Sequence, residues 1–155
     1  MELKEFKKEY HKLEVKYKLP RFEELNESFE IEKLENDTEI LLRVVRKNMT
    51  EKIMSYLSFV EMLLNPVNLP QMYVPFLKGL NAGGKERLNK LYGAYAELVV
   101  DSLENEIDYN EKREAELICK INKIWKDSVG DFKKILEEVR NPADTSMRKE
   151  KSYFG

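Results

Sequence analysis

Residues 2–19 read ELKEFKKEYHKLEVKYKL, and within them Leu3, Phe6, Tyr10, Leu13 and Tyr17 recur at alternating steps of three and four. That spacing is the pitch of an α-helix, and the seam it draws is one residue wide between mostly charged neighbours. A helix with so narrow an apolar stripe is expected to lie against another helix, in its own chain or in a partner. Pro20 should halt it, because a proline ring cannot continue the hydrogen-bond ladder.

The same period returns along most of the chain, and no alternating run or Asn-Gly turn argues for a strand. A short helix is expected from Phe22 to Asn26. Asn36-Asp37-Thr38-Glu39 matches a capping box and should open a long central helix over about 37–64. Its second half is apolar at Ile53, Met54, Tyr56, Leu57, Phe59, Val60, Met62, Leu63 and Leu64, which predicts packing on nearly all sides. Prolines 66, 70 and 75 punctuate a corner and a short helix, and Asn81-Ala82-Gly83-Gly84 reads as a flexible break. The next helix, from about Lys85 to Ile107, presents Leu88, Leu91, Tyr92, Tyr95, Leu98, Val99 and Leu103 on one side. Asp108 with Glu111 either caps a further helix or lies within one long rod. Gly130-Asp131 reads as a stop and restart before Phe132, Ile135, Leu136 and Val139. The expected fold is all-α: an irregular bundle of roughly five to seven helices around the central one. A single domain should cover 1–142, with 143–155 as a flexible tail.

Composition narrows the function. Net charge is −2, so the overall basic excess of a free-standing polyanion binder is missing. The chain carries 23 Glu against one Gln and 20 Lys against 7 Arg, a balance resembling proteins of hot-living organisms, although six Met weigh against that reading. One cysteine, Cys119, excludes an internal disulfide and should be a small buried thiol. The opening residues lack the apolar stretch of a secretion signal, and Ile53 to Leu64 is too short and too interrupted to span a bilayer. A cytoplasmic protein without a membrane segment is the expectation.

No motif for catalysis, nucleotide or metal accompanies the helices. His11, the only histidine, has Lys8 rather than Glu three residues before it, so the Glu-x-x-His iron ligand pair of di-iron bundles is missing. Gly83-Gly84-Lys85 lacks P-loop spacing. Glu61, between Val60 and Met62, is expected to be a buried structural carboxylate. Lys4, Lys8, Lys12 and Lys16 form a ridge that Glu5 and Glu9 partly offset. Glu97, Asp101, Glu104 and Asp108 form an acidic ridge, either paired within the chain or facing a basic partner; one straight face cannot supply the converging oxygens a hard cation needs.

These features predict a non-catalytic interaction or assembly protein, with a homodimer among its forms and no cofactor. The candidate contact residues are Leu3, Phe6, Tyr10, Leu13 and Tyr17 of the first helix and Glu97, Asp101, Glu104 and Asp108 of the acidic ridge. The alternative is a nucleic-acid-associated accessory subunit using the lysine ridge and the basic tail at Arg148-Lys149.

Overall fold

The computed structural model describes residues 1–34 and 40–140. The fold is all-α: the described residues form six α-helices and no strand. They are α1 (Leu3–Tyr17), α2 (Phe22–Phe29), α3 (Leu41–Leu64), α4 (Val74–Gly79), α5 (Ala82–Ile107) and α6 (Glu111–Arg140). Short 3-10 turns lie at Ile31–Lys33, Pro66–Asn68 and Gln71–Tyr73. The capping box at 36–39 and the tail at 143–155 fall outside the described residues. Among those residues no helix is long and apolar enough to cross a membrane.

Local chemistry sets the ends of the elements. Lys18 adopts a left-handed conformation (φ 54°), and the Leu19 N–H reaches back to the Glu14 carbonyl at 3.2 Å. This is a Schellman closure, with the buried Leu19 as its apolar anchor. Glu30 (φ 52°) is left-handed too and donates its N–H to the Asn26 carbonyl at 2.8 Å, so α2 ends at Phe29, three residues beyond the expected Asn26. Asn81 caps α5 by accepting the Gly84 N–H at 2.8 Å, so the two glycines form the first turn of a helix rather than a flexible break. Gly84 is buried there, and a Cβ would run into the Glu138 carboxylate. Asn110, not Asp108, caps α6 by accepting the Arg113 N–H at 3.0 Å. Two helices therefore occupy 82–140. The stop expected at Gly130-Asp131 does not occur, because one glycine inside a 30-residue helix costs only about 1 kcal/mol, less than its packed seam contributes.

The described residues group into two compact units, 1–55 with 95–126 and 56–94 with 127–140. In the first, Phe6 and Tyr10 of α1 meet Phe22 edge-on at 5.9 and 5.7 Å. Such pairs add about 0.5–1.5 kcal/mol each beyond burial. The Tyr10 hydroxyl donates to the Pro20 carbonyl at 2.7 Å. Phe29 tilts against Trp125 at 6.0 Å, and the Lys52 ammonium lies over both rings. Leu42, Val45, Met49, Ile53, Leu98, Ile118 and Ile121 complete the core.

In the second unit, Val60, Leu63, Leu80, Leu88, Leu91, Phe132, Ile135 and Val139 are buried. Tyr56 packs on Phe132 at 5.2 Å, and Arg87 donates to Glu138 at 2.8 Å. The all-round burial expected for the end of α3 is not found. Met54 is exposed, Tyr56, Leu57, Phe59, Met62 and Leu64 are half-buried, and only Ile53, Val60 and Leu63 are fully covered. Apolar residues outnumber the inward positions that one helix offers. Glu61 likewise faces outward rather than into a core.

Candidate protein-docking surface

The inward positions of α5 are Leu88, Leu91, Tyr95, Leu98, Ser102 and Asn105, again at steps of three and four. The last two are polar. On the outward side of the same half-helix stand Val100, Leu103 and Ile107, which are 54, 58 and 88% exposed. Over its last two turns α5 is thus reversed, with polar Ser102 and Asn105 turned inward and apolar Val100, Leu103 and Ile107 left outward. Hydropathy groups Leu103 and Tyr92 on one side with Leu88 and Leu91; both are instead exposed. Continuing the alternating steps from Leu88 would have reached Ser102 and Asn105.

Side chains around this half-helix show how the polar groups are held. Ser102 donates to the Leu98 carbonyl at 2.7 Å, which makes Thr50 the donor in the 3.0 Å contact between Thr50 and Ser102. One turn earlier on α3, Arg46 is buried against Glu114 of α6, with Nε donating at 2.8 Å and Nη2 at 3.1 Å. Nη2 also donates to Glu106. Burial alone would depress the guanidinium's pKa, but its bonds to Glu114 and Glu106 hold it above the usual arginine value. Arg46 in turn keeps Glu106 below the usual carboxylate range. Asn105 is different: 3% exposed, with neither the oxygen nor the nitrogen of its amide partnered among the described residues.

A groove of about 380 Å³ lies between α3 and the reversed half of α5. Met54, Val99 and Leu103 supply its apolar surface, and Lys47, Glu51 and Glu106 its polar margins. Along α5 the outward seam is Ala96, Val100, Leu103 and Ile107, at steps of four, three and four. Each of these is followed directly by a member of the acidic ridge: Glu97, Asp101, Glu104 and Asp108. Lys120 of α6 donates to Glu97 at 3.0 Å and Asp101 at 2.7 Å, and Arg113 stands 3.9 Å from Asp108. Glu104 has no ion-pair partner among the described residues.

The other residues singled out in the sequence are placed differently. Phe6 and Tyr10 are buried inside their own chain, Leu13 and Tyr17 are half-buried, and Leu3 is exposed. Tyr17 donates to Glu111, which also accepts from Lys16 at 2.9 Å; these two bonds hold Glu111 below the usual carboxylate range. The α1 seam is therefore used largely at home. Of the lysine ridge, Lys12 pairs with Glu9 at 2.6 Å and Lys16 with Glu111, while Lys4 and Lys8 are exposed. Cys119 is half-buried rather than fully covered, its thiol pushed up by burial. Among the described residues no group of three or more His, Cys, Asp or Glu is placed to hold a metal ion. The chain matches no family model, and no curated protein or solved structure matches it.

Proposed function

We propose that this chain is a non-catalytic protein-interaction module that accepts an amphipathic helix along the groove between α3 and α5. The observation that carries this reading is the reversed half of α5. A helix serving only its own core would bury Val100, Leu103 and Ile107 and expose Ser102 and Asn105. The observed arrangement leaves apolar area in water and a buried amide unsatisfied, and the amide alone costs about 1–3 kcal/mol. Local violations of this kind mark functional surfaces, and exposed apolar strips rimmed by polar residues mark sites of association. An apolar seam at steps of four and three, open on one side, suits a second helix laid along it.

The test is a nuclear magnetic resonance titration of the full chain with a designed helical peptide carrying leucines at the complementary spacing. Shifts should concentrate at Met54, Val99, Val100, Leu103 and Ile107. Leu103→Asp should abolish them while lowering stability by less than about 1 kcal/mol, since Leu103 is more than half exposed and leaves no buried cavity. Shifts spread evenly over the surface, or binding that survives Leu103→Asp, would overturn the reading.

A further inference from the structure

The groove sets where a partner lies; the acidic ridge beside it bears on what that partner is. We infer that the occupant is a cationic amphipathic helix, with lysines or arginines along the edge that meets Glu97, Asp101, Glu104 and Asp108. This rests on the docking reading above. Four carboxylates flank the seam on one side, answered by two cations, Lys120 and the more distant Arg113. On the other side the groove's two cations, Arg46 and Lys47, match its two carboxylates, Glu51 and Glu106, in number, and Arg46 binds Glu106. The uncompensated charge of the surface is therefore negative and lies along one edge.

A second feature points the same way. Between α5 and α6 a cleft of about 320 Å³ is lined by Asp101, Glu104, Asn105, Glu116, Arg113 and Lys120. Its two cations already face carboxylates, whereas among the described residues Glu104 has no ion-pair partner and the Asn105 amide in its wall has none for either polar atom. A long cationic side chain reaching over the ridge meets the Glu104 carboxylate and, once the cleft wall gives slightly, the buried Asn105 amide oxygen, an acceptor with no donor among the described residues. A guanidinium suits such a pair of acceptors because its donors diverge in a fixed fork.

Charge also argues against a second copy of this chain as the occupant. Two such seams laid antiparallel would set Glu97 and Glu104 of one copy against the same residues of the other. Like charges at flanking positions disfavour that pairing and select a complementary helix instead. A polyanion is rejected by the same edge.

The experiment uses the full chain and three labelled helical peptides with one shared leucine seam and flanks of lysine and arginine, of glutamine, or of glutamate. Their affinities are measured by fluorescence anisotropy at about 50 mM and about 500 mM salt. The cationic peptide should bind about tenfold more tightly than the acidic one at low salt, as expected for several exposed pairs, and the gap should shrink at high salt. Glu104→Gln should weaken the cationic peptide and leave the glutamine peptide unchanged. Equal affinities that all vanish with Leu103→Asp would overturn the charge inference and leave the docking reading standing. Failure of every peptide would sink both. A concentration-dependent dimer of the chain alone, dispersed by Leu103→Asp in sedimentation, would replace the cationic helix with a second copy.

Discussion

The unit formed by 1–55 and 95–126 buries Arg46, Thr50, Ser102, Asn105, Glu114 and Asn122, whereas Ser128 is the one such polar side chain buried in the described part of the other. The first unit is also where the outward apolar seam and the acidic ridge lie. The second closes on apolar contacts around Phe132 and Ile135 and carries its main ion pair, Arg87 with Glu138, at a partly exposed position. The contrast separates two ways of stabilising a helical unit. One depends on a buried polar network anchored by the Arg46–Glu114 pair, which fails badly when a member is lost; the other depends on area and shape.

The largest effect should come from Glu114→Ala. Glu114 is fully buried and takes two bonds from Arg46, so its removal leaves a buried guanidinium with only Glu106. A loss of about 3–5 kcal/mol in chemical denaturation is expected. The double replacement Arg46→Met with Glu114→Leu should recover most of it, since no charge is then stranded. A single-variant loss below about 1 kcal/mol would show that water already reaches the pair and that the network is not the first unit's main constraint.

Ile135→Ala supplies the counterpart in the second unit. Ile135 is fully buried, and truncation should cost about 2–4 kcal/mol through lost transfer energy and the cavity left behind. The size of the loss should be the same at pH 5 as at pH 7, because no titrating group is stranded. A loss that changes with pH would mean that the apolar description of this unit is incomplete.

Acid should separate the units by a smaller margin. Glu24 is held below the usual carboxylate range by its bonds from Lys126 and Asn122, Glu106 by Arg46, and Glu111 by Tyr17 and Lys16; all belong to the first unit. A depressed carboxyl contributes stability that is present above the unfolded value and lost as pH falls through the folded one. Amide exchange followed downward from about pH 5 should therefore lose protection first in α1, α2 and the α5 and α6 segments of that unit. Simultaneous loss in α4 and around Ile135 would erase the distinction.

How much of this was readable beforehand follows from what each signal depends on. The α1 seam, the corner at Pro66 to Pro75 and the all-helical class rest on period and proline, which are local properties. Asn81 and Asn110 are legible in principle as caps, yet Gly83-Gly84 points to a break because glycine disfavours helix, and Asp108 competes with Asn110 because Glu111 three residues on completes a capping-box pattern. Arg46 and Glu114 were not readable. Each sits in a charged run, Arg43 to Lys47 and Glu111 to Glu116, and only the meeting of α3 with α6 buries them. The reversal in α5 was half readable: the inward period was present, but hydropathy at Leu103 overruled it. The acidic ridge was found, although Lys120, which answers it from another helix, could not be named.

The smallest expected effect tests how the second unit tolerates its glycines. Gly130 lies mid-helix in α6, and a Cβ there would meet nothing within 4 Å; Gly93 in α5 is equally open. Neither has a positive φ, so alanine fits the existing backbone. Each substitution should therefore raise stability by up to about 1 kcal/mol, partly by restricting the unfolded chain. The gain should appear as a higher unfolding midpoint with unchanged slope. A destabilisation at Gly130 would mean that the helix needs local freedom there, and the break that Gly130-Asp131 suggested would then be a feature of its motion.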